Sequence, residues 1–254
     1  MFQLQRYFLP AEDWKDQYVI IRGDDAHHIT RVMRNRIDDQ LICNHPDSES
    51  AICRITEIEN GIVIAKIEKW LDEDVELPVD VTIAQGLPKG DKLDLVIQKG
   101  TELGARSFIP FKADRSVVKW DKKKEEKKLD RYRKIVKEAS EQSHRTEIPL
   151  IHPSMNLVEL IKESANYQVK IFAYEEEAKG TDYLSFSKVV KQFHESDRVL
   201  VCIGPEGGFS LDEVETLKEN DFIPVRLGPR ILRTETAPLY VLASISYHLE
   251  ELRC

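Results

Sequence analysis

The sequence predicts an α/β protein in which a small β-barrel domain precedes a larger domain built on a mostly parallel sheet. From residue 79 onward, short apolar segments alternate with amphipathic segments of helical length, the pattern of strand–helix–strand units. Before residue 73, four β-branched segments follow one another with turn residues between them, at 18–21, 40–43, 51–55 and 61–65. We therefore expect two domains, residues 1–72 and 73–254.

The first domain also contains one predicted helix, at 25–34. Asp25 is suited to cap it, and Ile29, Val32 and Met33 have the i, i+3, i+4 spacing of a buried face. The acidic segment 71–78 is typical of a linker.

The second domain is predicted to contain six strands and six helices. In the first helix Leu93, Val96, Ile97 and Gly100 share one face, and Gly104 suits the left-handed position after the helix end. The predicted strands are 79–84, 107–111, 148–151, 169–173, 199–203 and 224–227. The predicted helices are 91–103, 123–143, 157–164, 183–193, 211–219 and 235–252.

Composition gives a mixed indication about nucleic acid. The net charge is −8 and the pI about 5.5, which argues against a simple nucleic-acid-binding protein. The charge is uneven, however, because residues 112–145 contain thirteen Lys and Arg against seven Asp and Glu. This asymmetry is compatible with a local phosphate-binding surface.

Several other classes are disfavoured. No apolar segment is long enough for a membrane span or a signal peptide, so we expect a cytoplasmic protein without a membrane partner. The four cysteines form no C-x-x-C pair, and His27 and His28 have no acidic or cysteine partner in register. We therefore expect neither a disulfide framework nor a metal site.

Three loops are predicted at the carboxyl ends of strands, where parallel sheets bind ligands: 85–90, 204–210 and 228–238. The first resembles a phosphate-binding P-loop, but only three residues separate its glycines and Asp91 follows Gly90. No G-x-G-x-x-G motif follows a strand. Nucleoside triphosphate and dinucleotide sites are therefore disfavoured.

The second loop reads GPEGGFS at 204–210. Its adjacent glycines allow the backbone to approach a ligand closely, and Ser210 with Glu213 can form a capping box for the next helix. A tight strand-to-helix turn would also explain the glycines, but it would not explain Pro205 and Glu206.

The third loop, LGPRILRTETA at 227–237, leads into the last helix. Arg233 and Glu235 lie at the amino-terminal end of that helix, where a cation is unfavourable. This placement suggests an anionic partner for Arg233, with an ordinary surface arginine as the alternative.

Taken together, these segments resemble one family, the SPOUT-class methyltransferases that modify N3 of a uridine in 16S ribosomal RNA (the RsmE family). The similarity extends over nearly the whole chain. It departs from the family at Asp38-Asp39, where a Gly-Asp turn is expected. The matching segments are RYFL at 6–9, HITRVMR at 28–34, PKGDK at 88–92, QKGTELG at 98–104, RS at 115–116, EASEQSHR at 138–145, and the loops 203–210 and 227–237.

The resemblance implies a PUA-like RNA-binding domain, a SPOUT domain whose last helix threads a deep trefoil knot, and a homodimer. It also implies S-adenosyl-L-methionine as cofactor and 16S rRNA of the small ribosomal subunit as partner. The implied cofactor-binding residues are Gly204, Pro205, Glu206, Gly207, Gly208, Leu227, Gly228, Ile231 and Leu232.

Site roles follow from the chemistry that this family performs. Uridine N3 must lose a proton, so we expect Arg233 to stabilise the developing negative charge. Glu206, Glu138 and Glu141 are alternative proton acceptors, between which the sequence does not decide. The expected RNA phosphate contacts are Arg6, Arg31, Arg34, Arg115, Lys119, Arg131 and Arg145.

Two other functions remain open from the sequence. A non-catalytic RNA-binding or ribosome-assembly module would keep the fold, but it would not need intact loops at 204–210 and 227–237. A methyltransferase with another RNA target, such as tRNA ribose, would keep those loops. The segment 138–145 fits the uridine-base family better.

Overall fold

The computed structural model describes residues 4–73, 75–174 and 185–252, which form two compact units. Unit 1 consists of Met1–Glu76 with Ser140–Ile148, and unit 2 of Leu77–Ala139 with Pro149–Cys254. The first boundary between the two units therefore lies four residues after the predicted domain boundary. A second difference is that a short segment from the middle of the chain belongs to unit 1.

Unit 1 is a five-stranded sheet in the order β1-β3-β4-β5-β2. The β1–β3 pair is parallel and the other pairs are antiparallel. Register shifts at Ile52/Cys53 and Ile55/Glu57 bend the long β4–β5 pair, as β-bulges do. The strands are β1 (Arg6–Phe8), β2 (Tyr18–Ile21), β3 (Gln40–Asn44), β4 (Ser50–Glu59) and β5 (Ile62–Leu71).

The helical part of unit 1 differs from the prediction. A 3₁₀ turn spans Ala11–Asp13, helix α1 spans Gly23–His27, and a π-helical turn follows at His28–Val32. Asp25 therefore lies inside the helix and does not cap it. The cap position is Arg22, which makes no side-chain capping hydrogen bond, and Gly23 follows with φ +60°. Ile29 is fully buried as predicted, whereas Val32 and Met33 are exposed.

The segment Ser140–Ile148 joins unit 1 through polar contacts that no apolar pattern indicates. The Arg145 carbonyl accepts a hydrogen bond from Asn44 Nδ2 at 2.8 Å. The Arg145 guanidinium forms an ion pair with Glu76 and is almost completely buried. Glu76 also accepts from the backbone N–H of Thr146 and Glu147. A sequence-based boundary misses this segment because long-range ion pairs leave no periodic signal.

Unit 2 contains a six-stranded sheet in the order β11-β9-β10-β6-β7-β8, and every strand pair is parallel. The predicted parallel sheet is confirmed. The strands are β6 (Asp80–Gly86), β7 (Ser107–Phe111), β8 (Leu150–Ile151), β9 (Val169–Ala173), β10 (Arg198–Ile203) and β11 (Ile223–Val225). The helices are α2 (Lys92–Glu102), α3 (Lys122–Gln142, which continues into unit 1), α4 (Leu157–Ser164), α5 (Phe186–Val190), α6 (Leu211–Glu219) and α7 (Ala237–Ser246).

Most helix ends in unit 2 lie within two residues of their predictions. Residues 183 and 184 of the predicted helix 183–193 lie outside the described residues. The last helix begins at Ala237, and a π-helical turn at Tyr247–Glu251 follows it. Gly104 has φ +87°, and Ser210 and Glu213 form the predicted capping box.

Both faces of the parallel sheet are covered. Along β10, Val199, Val201 and Ile203 belong to one apolar cluster, while Leu200 and Cys202 belong to another. This alternation places successive side chains on opposite faces, as strand geometry requires. No helix among the described residues is long and apolar enough to cross a membrane.

Candidate active site

Three loops meet where the strand order of unit 2 reverses. β6 lies between β10 and β7, although β7 follows it in sequence and β10 comes much later. Chains leaving neighbouring strands at such a point diverge and leave a crevice at the carboxyl edge of the sheet. The loops after β6, β10 and β11 border this crevice.

A cavity of about 1070 Å³ lies between the second and third loops. Its walls include Ile203, Leu227 and Ala237, which are buried apolar residues, together with Lys92, Arg115 and charged residues of the third loop. Every residue predicted to bind the cofactor lines it: Gly204, Pro205, Glu206, Gly207, Gly208, Leu227, Gly228, Ile231 and Leu232.

The glycines of the second loop are required by close packing and by a turn. Gly208 has φ +66°, and its N–H donates to the Pro205 carbonyl at 2.9 Å. A Cβ on Gly204 would lie 3.1 Å from the Gly208 carbonyl carbon. The loop therefore folds back on itself and exposes backbone to the cavity, which larger residues would prevent.

Arg115 supports this loop from the side. Its Nη1 donates to the Gly207 carbonyl at 3.1 Å, and its Cβ would lie 3.1 Å from a Cβ on Gly207. The sequence predicts Arg115 as an RNA contact, and the structure also makes it part of the cavity wall.

The third loop is held by short hydrogen bonds before α7 begins. The Thr234 hydroxyl donates to the Gly204 carbonyl at 2.7 Å and accepts from Gln85 Nε2 at 2.8 Å. The Arg233 carbonyl accepts from the N–H groups of Thr236 and Ala237. Arg233 thus lies just before the amino-terminal end of α7, with an exposed side chain on the cavity wall.

Lys92 links two carboxylates at the cavity. Its ammonium lies 2.8 Å from Glu206 Oε1 and 3.3 Å from Glu235 Oε2. Hydrogen bonding to Glu206 raises the pKa of Lys92, although partial desolvation opposes this. Burial would raise the pKa of Glu206, but hydrogen bonds from Lys92 and from backbone amides outweigh burial and lower it. Both groups are therefore charged at neutral pH.

The predicted catalytic residues fall into two groups. Arg233 and Glu206 line the cavity, whereas Glu138 and Glu141 are not among the described residues that line it. Glu138 is exposed on α3. Glu141 belongs to unit 1, where it accepts from the Phe8 N–H at 3.5 Å.

Glu141 also takes part in a cluster of titratable groups within unit 1. The Tyr7 hydroxyl is hydrogen bonded to His28 Nδ1 at 3.0 Å. Burial and the neighbouring carboxylates of Glu141 and Asp25 raise the pKa of Tyr7, so its hydroxyl stays protonated.

Two predicted RNA contacts have to be corrected. Arg6 is buried, with its guanidinium 2.8 Å from Glu73 and within reach of Asn44 and Ser50. Arg145 is buried against Glu76. Both guanidinium groups are enclosed and paired within unit 1 in this structure and are not available to a phosphate.

The remaining candidate RNA contacts are exposed. Arg31 and Arg34 belong to unit 1, and Arg34 has an unusual φ of +58°. Lys119 and Arg131 belong to unit 2, where Arg131 forms an ion pair with Asp94 at 2.7 Å.

Two features of the site are not apparent from the sequence. Lys92 belongs to the PKGDK segment, but nothing in the sequence indicates its two carboxylate partners. Gln85, at the end of β6, was not singled out, although a buried glutamine at a strand end is a detectable signal. The described residues contain no group of three His, Cys, Asp or Glu side chains placed to hold a metal ion.

Comparison with known proteins identifies both parts of the chain. Residues 75–246 match the family model described as RNA methyltransferase domain, and residues 21–68 match the model described as RNA methyltransferase PUA domain. The chain is 45% identical over 253 residues to ribosomal RNA small subunit methyltransferase E of Bacillus subtilis, covering 98% of this chain and 99% of that protein. It is 31% identical to the protein of the same name from Mycobacterium tuberculosis, covering 89% of this chain and 85% of that protein.

The fold is similar to that of a solved relative with a ligand. The crystal structure of ribosomal RNA small subunit methyltransferase E from Neisseria gonorrhoeae bound to S-adenosyl methionine has a TM-score of 0.84 and 28% identity, covering 97% of this chain and 98% of that one. These similarities extend over both units, and the chain belongs to the RNA methyltransferase family that includes the ribosomal RNA small subunit methyltransferases E.

Proposed function

We propose that this protein transfers a methyl group from S-adenosylmethionine to N3 of a specific uridine in 16S rRNA of the small ribosomal subunit. The observation that carries the proposal is the cavity at the carboxyl edge of the unit 2 sheet. Two loops form its walls, and Arg233, an exposed residue, is among the residues that line it.

The cavity suits this cofactor. Its volume of about 1070 Å³ is ample for a nucleoside-sized ligand. Buried Ile203, Leu227 and Ala237 offer an apolar surface for the adenine. The backbone of 204–208 and 227–232 offers hydrogen-bonding groups for its polar edges. The bound cofactor supplies a methyl group on a positively charged sulfur, an electrophile that needs no metal.

The chain's own part in the reaction is to make uridine N3 nucleophilic. At neutral pH this nitrogen carries a proton, and removing it leaves negative charge shared with O2 and O4. A guanidinium beside either oxygen stabilises that charge in the transition state. Arg233 is exposed on the cavity wall and has this role in our proposal.

Glu206 is the proton acceptor that position favours, since of the three candidates only Glu206 lines the cavity in the described structure. Its lowered pKa makes it a weak base. Stabilisation of the uridine anion by Arg233 therefore has to account for much of the rate enhancement. Pairing with Glu206 and Glu235 meanwhile keeps Lys92 at the cavity wall.

RNA binding in this proposal uses exposed cations of both units: Arg31, Arg34, Arg115, Lys119 and Arg131. The protein as a whole has a net charge of −8, so these local cations have to supply the attraction to phosphate. Unit 1, which contains the match to the PUA domain model, is the proposed RNA-binding domain. The target uridine has to leave its stack before its N3 can enter a cavity.

A homodimer is part of the proposal. In unit 2, Tyr247 and Leu252 at the carboxyl-terminal end of the chain are 59% and 60% exposed, and Tyr240 is 39% exposed. Exposed aromatic and aliphatic side chains close together on one helical segment are typical of an interface.

The function is tested with small ribosomal subunits from a strain that lacks this protein. The purified chain is incubated with these subunits and isotopically labelled S-adenosylmethionine, and the digested RNA is analysed by mass spectrometry. Labelled N3-methyluridine is the expected product. Another labelled nucleoside would contradict the proposed target and favour a different RNA methyltransferase activity.

The same experiment distinguishes the non-catalytic alternative. If the chain does not bind S-adenosylmethionine and transfers no label to RNA, but still binds the subunit, it is a non-catalytic ribosome-assembly module. Cofactor binding is measured by calorimetry on the same preparation, so that inactive protein is not mistaken for a module.

A further inference from the structure

A chain of buried hydrogen bonds joins β6 to both loops that form the cavity. Gln85 Nε2 donates to Thr234 Oγ1 at 2.8 Å, and Thr234 Oγ1 donates to the Gly204 carbonyl at 2.7 Å. Gln85 is 1% and Thr234 8% exposed. Gln85 is held on both sides, because its backbone pairs with Ile203 of β10 and Pro110 of β7.

The direction of these hydrogen bonds fixes the orientation of the Gln85 amide. A carbonyl can only accept, so the single proton of Thr234 goes to Gly204 and its oxygen must accept from Gln85. If the amide were reversed, the Thr234 proton would turn to Gln85 and the Gly204 carbonyl would lose its donor. The geometry therefore requires Nε2 of Gln85 to face Thr234.

This orientation carries an energetic cost. Gln85 Oε1 is buried and has no hydrogen-bond partner among the described atoms. Burying an unpaired acceptor is unfavourable, and most buried polar groups in proteins avoid it. On its donor side, Gln85 Nε2 contacts two acceptors, Thr234 Oγ1 at 2.8 Å and the Gly86 carbonyl at 3.2 Å, so the amide ties the end of β6 to the third loop.

The residues on either side of Thr234 show what this connection holds in place. Arg233 and Glu235 both line the cavity, and Glu235 pairs with Lys92. Thr234 is the buried member of this tripeptide, while the Arg233 side chain is exposed. The backbone from which Arg233 projects is thus anchored by the Thr234 hydroxyl. A displacement of about 1 Å in a reacting group can slow a reaction by about a hundredfold.

We propose that Gln85 and Thr234 are positioning residues that hold Arg233 and the Gly204 loop in the arrangement needed for methyl transfer. This inference rests on the proposed function, because it takes Arg233 as the group that acts on the uridine. Gln85 does not line the cavity in the described structure, whereas Thr234 does, and in this proposal both act through the two loops.

The test separates the rate of the chemical step from cofactor binding. Gln85→Met and Thr234→Val remove the hydrogen bonds with little change in volume. Each is expected to slow single-turnover methyl transfer at saturating cofactor by up to about 100-fold, the effect of a displacement of about 1 Å. The Kd for S-adenosylmethionine should change by a much smaller factor. Thr234→Ser keeps the hydroxyl and should restore most of the rate.

Thermal stability distinguishes a positioning role from a purely structural role. A positioning role predicts a lower rate at an unchanged Tm, and a structural role predicts a lower Tm. Gln85→Met also removes the unpaired Oε1, so its Tm is expected to stay near the wild-type value while the rate falls. If Tm falls and the remaining folded protein reacts at the wild-type rate, the two residues are structural and the proposal is wrong.

A matched control is available on the same strand. Thr82 is 3% exposed, and its hydroxyl is 2.7 Å from Ser107 Oγ. Three positions before Gln85, it lies on the other face of the sheet. Thr82→Val should leave the transfer rate unchanged. Because Gln85 and Thr234 act as one unit, the double variant should be no slower than the slower single variant.

The outcomes also separate this inference from the proposed function. Wild-type protein that transfers no methyl group to the subunits would contradict the function and this role with it. Two outcomes would contradict the positioning role alone, provided that the wild-type protein is active. One is full activity of the Gln85→Met and Thr234→Val variants. The other is a double variant whose loss of rate is the product of the two single losses.

Discussion

Gly86 and Pro205 are packed so closely that no side chain fits between them. A Cβ on Gly86 would lie 2.5 Å from the Pro205 backbone nitrogen and 2.6 Å from Pro205 Cδ. Gly86 ends β6, and Pro205 belongs to the loop after β10. The end of β6 therefore packs directly against the glycine-rich loop that follows β10.

Gly86→Ala should displace that loop and weaken cofactor binding. Because the contact is with backbone, the methyl group cannot be accommodated by a change of rotamer. We expect the Kd for S-adenosylmethionine to rise by about 5- to 150-fold, which corresponds to the cost of about 1–3 kcal/mol for overpacking of this kind. Calorimetry on the purified variant measures this change. Gly90→Ala is the comparison, because a Cβ there meets nothing within 4 Å, although its φ of +66° adds local strain. Equal affinities for Gly86→Ala and wild type would show that cofactor binding does not depend on the close contact between Gly86 and Pro205.

The Glu206–Lys92 ion pair predicts a pH dependence at the acid end. Partial burial opposes ionisation of Glu206, but its hydrogen bonds lower the pKa below the usual 4.5. A carboxylate with a lowered pKa contributes its stabilisation above the usual pKa and loses it as the pH falls through the lowered value. Because Lys92 and Glu206 both line the cavity, Glu206→Gln should also weaken cofactor binding at pH 7, by less than about fivefold since the pair is partly exposed.

The difference between Glu206→Gln and wild type should persist at pH 4.5 and disappear only as the pH falls through the lowered pKa of Glu206, where the wild-type carboxylate becomes neutral as well. Titration of the cofactor Kd from pH 7 down to the acid limit of folding checks this. A difference that persists unchanged over that range would show that the charge of Glu206 is not what matters.

Arg31 and Arg34 are predicted to contact RNA phosphates. Replacing both with glutamine should weaken binding to the small subunit. The slope of log Kd against the logarithm of the salt concentration should fall by about 1.4–1.8, the amount for two phosphate contacts. Filter binding across a salt series measures the slope. Arg133→Gln removes an exposed arginine that pairs with Asp130 and serves as the control. An unchanged slope in the double variant would remove these arginines from the RNA-binding surface.

Tyr247 tests the proposed homodimer. It is 59% exposed just after α7, whereas Leu249 two residues later is buried in the core of unit 2. Tyr247→Glu places a charge on the proposed interface and should convert a dimer into monomers, measured by light scattering after gel filtration. Glu250→Lys, a charge change on the same turn, controls for nonspecific effects. Monomeric wild-type protein would contradict the dimer outright.

The fold was largely predictable because apolar periodicity determines strands and helices. Strand 107–111 and helices 157–164 and 211–219 coincide with β7, α4 and α6. The cavity was predictable as well, since loops that follow parallel strands converge on one edge. What periodicity cannot show is a long-range polar contact. Arg6 and Arg145 were predicted to contact RNA phosphates but are buried in the structure, where they pair with Glu73 and Glu76.

The site is predictable only in part for the same reason. Glu138 and Glu141 were alternatives to Glu206 chosen without geometry; neither lines the cavity in the described structure, and their role stays a prediction. The Gln85–Thr234–Gly204 chain joins residues up to 149 positions apart, and no spacing rule connects them. Arg233, by contrast, was marked by an unfavourable position before a helix, which is a local signal.

The most direct test of the account compares Arg233→Ala with wild type in two measurements on the same preparation. One is single-turnover transfer of labelled methyl to small subunits, and the other is the calorimetric Kd for S-adenosylmethionine. We predict that transfer is abolished while the Kd stays close to wild type, because Arg233 acts on the uridine and the backbone of the loops holds the cofactor. Equal loss of transfer and cofactor binding would contradict the account.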